Sequence, residues 1–228
     1  MRSSPRVFVS MGSPYTKDWV QFRDELEVLL RDGCGADPRI IGKNEYPSGS
    51  PLEHIRTTMR TCAGVVIVAY ERKYVKTGVE KRGSEKPEKL EDRTYTTPWN
   101  HIESAIAYSL GLPIYILCQR GLHQEGLIES KNDWWVQPFD TAPGALSRPE
   151  LVQSMRAWVN ARVIPTSNKS NVIESLQGRV KLSEMTPHEL WSFFGMIGTV
   201  FLIGALVGPY VPVLPSFLKF LHDHLLLP

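Results

Sequence analysis

Apolar and polar positions alternate along the chain in two different periods. Short, nearly unbroken apolar runs predict four strands, at 6–10, 39–42, 64–70 and 112–118. Segments whose apolar residues recur every three or four positions predict four helices, at about 16–31, 50–62, 98–110 and 147–159. Strand and helix alternate, and the 64–70 run suits a central strand buried on both faces. The pattern therefore predicts an α/β domain with an open parallel sheet and helices on both faces.

The segment from Glu71 to Arg93 interrupts this alternation. It is charged and almost free of apolar residues, so it predicts a mobile surface insertion between the central strand and the next helix.

The C-terminal part of the chain has a different composition. Residues 1–164 form the predicted α/β domain, and 165–185 are polar and predict a linker. Within 186–228, about Pro187 to Gly208 is long and apolar enough to cross ~30 Å of hydrocarbon. We therefore expect a transmembrane helix and a short C-terminal hydrophobic segment, with a buried core helix as the alternative.

The basic residues that flank the predicted transmembrane helix indicate its orientation, and its glycines indicate how it could assemble. Arg179 and Lys181 precede the helix, which favours a cytoplasmic N-terminal domain in a single-pass protein. Gly204 and Gly208 have the Gly-x-x-x-Gly spacing that lets helices approach closely. A homo-oligomer at the membrane is the expectation.

Composition narrows the classes of partner. The net charge is +2 and no long basic face dominates, which argues against a nucleic-acid partner. The three cysteines are widely spaced and odd in number, so neither a disulfide framework nor a metal site is predicted.

The candidate chemistry lies on the third helix. Thr97 is a good N-cap, Pro98 suits the first helical position, and Gly111 is a natural stop. Glu103 follows Trp99 by one turn, at the edge of a predicted buried stripe. Part-burial raises a carboxylate pKa while the helix N-terminus favours its charged form, so Glu103 is the candidate catalytic group, with a solvated carboxylate at the helix start as the alternative. The stripe itself comprises Trp99, Ile102, Ile106, Ser109 and Leu110.

Candidate substrate-binding residues come from the carboxyl ends of the predicted strands, where open α/β sheets bind ligands. The loop after the first strand would present backbone N–H groups to ribose or phosphate, although an ordinary turn is an equal alternative. A base could stack on the loop tyrosine or on the tryptophan, although a surface tyrosine and a core or wall tryptophan are the plainer interpretations. The full set is Ser10, Gly12, Ser13, Tyr46, Tyr70 and Trp99.

From 6 to about 163 the chain resembles a Toll/interleukin-1 receptor (TIR)-type domain of the bacterial NADase kind, with a flavodoxin-like fold. Three segments carry the resemblance: 6–10 with its small-residue loop, 55–70 with a helix ending at Cys62 and then a hydrophobic strand, and Trp99-Asn-His-Ile-Glu103. The last matches the Trp-x-x-x-Glu of the enzymatic members, whose Glu is catalytic. Asn100 stands where many members have Cys.

A second resemblance overlaps the first. Residues 103–113 resemble the Glu-x-x-x-Ala-x-x-x-Gly-x-Pro run of the nucleoside deoxyribosyltransferases, which are of related fold. Enzymes of both families break an N-glycosidic bond to a ribose with a single Glu. Breaking that bond builds positive charge on the sugar, which a carboxylate stabilises.

These resemblances imply a membrane-anchored NAD⁺ hydrolase that acts in antiviral defence on self-association. Glu103 would be essential, NAD would be the substrate, and neither a cofactor nor a metal would be needed. Two alternatives stay open: a non-enzymatic TIR-like signalling or nucleotide-binding module, and a deoxyribosyltransferase-like nucleoside N-glycosidase.

Overall fold

A computed structural model describes residues 4–46, 49–132, 134–142 and 144–168. The strands are β1 (Arg6–Met11), β2 (Asp37–Ile40), β3 (Gly64–Ala69), β4 (Lys73–Glu80), β5 (Glu88–Tyr95), β6 (Ile114–Gln119) and β7 (Trp135–Phe139). The helices are α1 (Lys17–Val28), α2 (Pro51–Arg60), α3 (Pro98–Ser109) and α4 (Pro149–Trp158). Helices α1 and α4 each run on into a π-helical turn, at 29–33 and 159–163.

Five of the strands form one parallel sheet in the order β2-β1-β3-β6-β7. This confirms the predicted parallel α/β architecture. With the β4-β5 pair set aside, the order is that of a flavodoxin-like sheet. The chain adds β2 on one side of β1 and β3 on the other, so the topological switch point lies between the carboxyl ends of β1 and β3.

Helices cover both faces of this sheet. On one face, α1 and α4 pack on alternate residues of the strands, among them Val7, Val9, Val66 and Leu117. On the other face, α2 and α3 cover the intervening residues, among them Phe8, Val65, Ile67 and Ile116. Because β3 is buried on both faces, its unbroken apolar run was a sound signal for a central strand.

The charged segment 71–93, which the sequence predicts to be a mobile surface insertion, forms a β-hairpin. Strands β4 and β5 pair antiparallel from Lys73 opposite Tyr95 to Glu80 opposite Glu88. The turn between them uses two left-handed residues, Lys81 (φ 52°) and Gly83 (φ 85°). The hairpin does lie on the surface, since each of its strand residues is exposed or only partly buried.

Strand β7 was missed, because the apolar runs of the sequence predicted no strand after 112–118. β7 pairs with β6, and among the described residues no strand pairs with the other side of β7, so it is an edge strand of this sheet. Trp135 is exposed and Pro138 cannot donate a backbone hydrogen bond, which is tolerated at a sheet edge.

Within the described ranges, no helix combines the length and the apolarity needed to span a bilayer. The predicted transmembrane helix at about 187–208 and most of the predicted 165–185 linker lie outside the described residues.

Candidate functional site

Helix α3 begins at the carboxyl edge of the sheet and carries the candidate carboxylate over the switch point. Thr97 is its N-cap, and the Thr97 hydroxyl accepts a hydrogen bond from the Trp99 backbone N–H at 3.3 Å. The helix packs on β1 and β3. Its buried residues are Asn100, Glu103, Ser104 and Ala107.

The buried face of α3 is therefore polar at its N-terminal end, and the predicted apolar stripe was wrong there. Trp99 is 43 % exposed and Ile102 is 39 % exposed, while Ile106 and Leu110 are only partly buried. Positions 100, 103, 104 and 107 face the sheet. The most apolar side of the helix, with positions 99, 102 and 106, lies next to this face and does not coincide with it. A polar surface in this position indicates that the helix is built for more than core packing.

A chain of hydrogen bonds connects this polar face to β1. The Thr96 hydroxyl donates to Asn100 Oδ1 at 2.6 Å, and Asn100 Nδ2 donates to Ser10 Oγ at 2.8 Å. The Ser10 hydroxyl is in turn hydrogen-bonded to the Glu103 carboxylate. The Ser104 hydroxyl donates back to the Asn100 carbonyl at 2.6 Å. The side chains of Ser10 and Asn100 thus orient Glu103 from the strand side.

Glu103 has an unusual protonation equilibrium as a result of its position. Its side chain is buried, with 8 % of the residue exposed. Burial raises its pKa from the ordinary 4.5 to about 7, and the hydrogen bond from Ser10 opposes that rise. At neutral pH both the carboxylate and the carboxylic acid are populated, so the group can act as a base or nucleophile or donate a proton.

The loop after β1 is fixed to the end of β3. The Tyr70 hydroxyl donates to the Gly12 carbonyl at 2.7 Å and lies 3.3 Å from the Ser13 carbonyl. Arg72 Nη1 also donates to the Ser13 carbonyl, at 3.0 Å. Burial raises the pKa of Tyr70 to about 12, so it stays a protonated donor. A Cβ on Gly12 would lie 3.4 Å from the Tyr70 hydroxyl, an ordinary van der Waals contact, so this contact alone does not require a glycine.

The structure thus brings some of the predicted site residues together and leaves others apart. Ser10 contacts Glu103, and Tyr70 contacts Gly12 and Ser13, all at the switch point. Trp99 lies one turn before Glu103 on α3, and its side chain is partly exposed at the start of the helix. Tyr46 is 70 % exposed, and its hydroxyl donates to the Lys43 carbonyl in its own loop.

Thr96, Asn100 and Ser104 were missed as site residues. Asn100 and Ser104 could have been found, because they lie three positions before and one after Glu103 on the same side of a helix. Thr96 precedes the helix, and its role depends on the loop that joins β5 to α3, which no periodic pattern specifies.

Two surface cavities lie beside α1. A cavity of about 270 Å³ lies beside the start of α1, lined by residues that include Tyr15, Trp19, Glu71 and Gln119. A groove of about 820 Å³ runs between α1 and residues 146–152. Neither contains Glu103. Among the described residues, no group of three or more His, Cys, Asp or Glu side chains is arranged to hold a metal ion.

Comparison with known proteins adds little beyond this geometry. No protein-family model matches the chain, and no curated protein matches its sequence. Among solved structures, the chain is similar to the CMP N-glycosidase BcmB of Clostridium botulinum, with a TM-score of 0.42 and 12 % identity. The similarity covers 67 % of this chain and 98 % of that chain. At this level the similarity carries no argument about function, which depends on the site itself.

Proposed function

We propose that this protein is an N-glycosidase that breaks the bond between a base and the ribose of a nucleoside or nucleotide. Glu103 is the carboxylate that acts on the sugar. The observation that carries the proposal is the burial of Glu103 at the switch point, with a pKa raised to about 7 and Ser10 hydrogen-bonded to it.

Cleavage of the bond between base and ribose is helped by a buried carboxylate next to the sugar. When a base leaves a ribose, positive charge develops on the anomeric carbon and the ring oxygen. A carboxylate that has been removed from water stabilises this charge more strongly than an exposed one, because the local dielectric constant is low. It can also attack the anomeric carbon, forming a bond to it while the bond to the base breaks and the base takes the electron pair; water then hydrolyses the glycosyl ester, which releases the sugar and regenerates the carboxylate.

The remaining residues have distinct roles in the proposal. Asn100 fixes the orientation of the Ser10 hydroxyl, and Ser10 holds the Glu103 carboxylate. The Gly12–Ser13 backbone, which Tyr70 and Arg72 hold, provides the surface next to the sugar. Trp99 offers an exposed aromatic face one turn from Glu103, on which a flat base can stack.

NAD⁺ is the second candidate substrate, and the exposed Trp99 one turn before Glu103 favours it through the Trp-x-x-x-Glu resemblance. A nicotinamide that leaves a pyridinium riboside departs as a neutral molecule and needs no proton. A nucleobase that leaves a nucleoside must take up a proton, and because Glu103 acts on the sugar in its ionised form, that proton comes from water. The two substrates therefore differ in whether the leaving group needs a proton, while the same ionised carboxylate acts on the ribose of both.

A substrate panel tests the proposal. The full-length protein is incubated with NAD⁺, ribonucleosides, deoxyribonucleosides and their 5′-monophosphates, and free base is measured by chromatography. Glu103→Ala, prepared in the same way, reports any contaminating hydrolase. Release of one class of free base by wild type, absent with Glu103→Ala, is expected. Folded wild-type protein that binds a nucleotide in this panel and releases no base would favour the non-enzymatic alternative and overturn the proposal.

A further inference from the structure

The β4–β5 hairpin has one strand edge with no partner. These strands form a sheet of two, separate from the parallel sheet. In the part of the chain that the structure describes, no backbone hydrogen bond beyond the β4–β5 ladder reaches residues 73–80. A two-stranded hairpin with little buried apolar surface is marginally stable in water, and a third strand is the usual remedy. An open, regular edge of eight residues is a template for such a strand.

The two edges of the hairpin differ in this respect. The outer edge of β5 is already covered at one end, where the His123 N–H donates to the Thr94 carbonyl at 2.8 Å and Leu122 forms a bridge to Thr94. It is also distorted at Asp92, which has a φ of 48°. The outer edge of β4 has neither feature, so β4 is the strand that can accept a partner.

We propose that β4 pairs antiparallel with β4 of a second copy of this chain, with the two-fold axis at Thr77. An antiparallel pair of identical strands with a two-fold axis perpendicular to the sheet must place one residue opposite its own copy. Centring on Lys76 would place two ammonium groups directly opposite each other, which is unfavourable. Centring on Gly78 would pair only the last five residues of the strand, 76–80. Centring on Thr77 pairs the seven residues 74–80.

The side chains of β4 are self-complementary in this register. On one face Val75 lies opposite Val79 of the second copy, on both sides of the central Thr77 pair. β-branched pairs of this kind stabilise antiparallel strands. On the other face Tyr74 lies opposite Glu80, and Lys76 has two diagonal neighbours in the second copy, Glu80 and the other Lys76. The exposed side chains of Tyr74 and Val79, 53 % and 51 % accessible in the single chain, thereby gain neighbours.

The pairing makes one continuous four-stranded antiparallel sheet from two hairpins. An interface made by a single strand pair is smaller than that of a typical stable complex. The dimer is therefore a concentration-dependent one, stabilised wherever other contacts raise the local concentration of the chain.

Disulfide trapping in the full-length protein tests both the pairing and its register. Thr77→Cys places two thiols opposite each other, so an oxidant should give a cross-linked dimer at least about tenfold faster than the matched control Glu91→Cys. Glu91 is opposite Thr77 within the hairpin and is also exposed, but it lies on β5. Mixed Val75→Cys and Val79→Cys chains should cross-link with each other, and neither should cross-link with itself at a comparable rate.

Sedimentation provides the second arm. Thr77→Lys, which puts two charges at the axis, should shift dimerisation to higher concentration, whereas Thr77→Ser should leave it unchanged. Circular dichroism of both variants establishes that they are folded. Cross-linking of Thr77→Cys no faster than that of Glu91→Cys would overturn the pairing. Val79→Cys homodimers formed as fast as Thr77→Cys homodimers would overturn the register.

Discussion

At the scale of single residues, Glu103 shows how position sets chemistry. The sequence analysis selected Glu103 from its spacing to Trp99, and the structure places it at the sheet edge where ligands bind in such folds. Its burial is deeper than expected, because the face of α3 toward the sheet is the polar one. The sequence could not reveal this, since the apolar residues on the other side of α3 gave the stronger periodic signal.

The activity should rise with pH around neutrality if the ionised Glu103 attacks the sugar. Its pKa of about 7 means that the charged fraction grows across this range. Ser10→Ala removes a hydrogen bond that favours the charged form, so the pKa should rise further and the midpoint of the pH–rate profile should move to higher pH. An unchanged midpoint in Ser10→Ala would show that another group controls the profile.

The stability of the protein should also depend on Glu103. Its pKa is higher in the folded chain than in the unfolded chain, so the folded state binds the proton more tightly. The contribution is favourable below the unfolded pKa near 4.5 and is lost as the pH rises through about 7. The burial of the charged form then costs on the order of 3 kcal/mol at pH 8.

Glu103→Gln should therefore melt several degrees higher than wild type at pH 8 and at nearly the same temperature at pH 4. Thermal denaturation at the two pH values measures this. A variant that is less stable than wild type at pH 8 would mean that the charged carboxylate has a favourable partner in the fold.

At the scale of elements, the buried strands could be predicted from the sequence and the surface strands could not. β1, β3 and β6 were predicted because they are buried on both faces and read as apolar runs. β4 and β5 were missed because each of their cross-strand pairs contains a charged or polar residue or a glycine, so the strands show no clear apolar alternation. β7 was missed because it is a short edge strand with an exposed tryptophan.

The loop between β1 and α1 depends on a side chain from another element. Tyr70→Phe removes the hydroxyl that holds the Gly12 carbonyl, while its ring still packs against Trp19 at 4.0 Å between centroids. We expect the looser loop to raise KM several-fold and to change kcat less, because Tyr70 does not touch Glu103 in the contacts described. Steady-state kinetics measures KM and kcat separately. A several-fold loss in kcat with KM unchanged would contradict this role of Tyr70.

The hairpin should be dispensable for the fold of the parallel sheet. Replacing residues 76–91 by a short Gly-containing turn removes residues that pair with one another and not with the parallel sheet. The shortened protein should remain soluble, with a circular dichroism spectrum that keeps its helical signal. Aggregation of the shortened chain, with the replacement Glu80→Gln soluble as a control, would show that the hairpin supports the core.

At the scale of the whole molecule, the architecture could be predicted from the order of strands and helices along the chain. Alternating strands and helices predicted a parallel sheet covered on both faces, and the strand order then places the β1–α1 loop and α3 at one switch point. The hydrogen-bond path from Thr96 through Asn100 and Ser10 to Glu103 joins residues far apart in sequence, so no local pattern could reveal it. The membrane anchor at 187–208 lies outside the described residues and stays a prediction.

The most direct test of the account is the rate of base release by Glu103→Gln on the substrate that wild type cleaves. Glu53→Gln is the matched control, because Glu53 is an exposed carboxylate in the first turn of the neighbouring helix α2. We expect Glu103→Gln to lose about 10²- to 10⁴-fold in kcat while its fold is retained, and Glu53→Gln to keep wild-type activity. Base release by Glu103→Gln within a fewfold of the wild-type rate would contradict the assignment of Glu103 as the catalytic carboxylate.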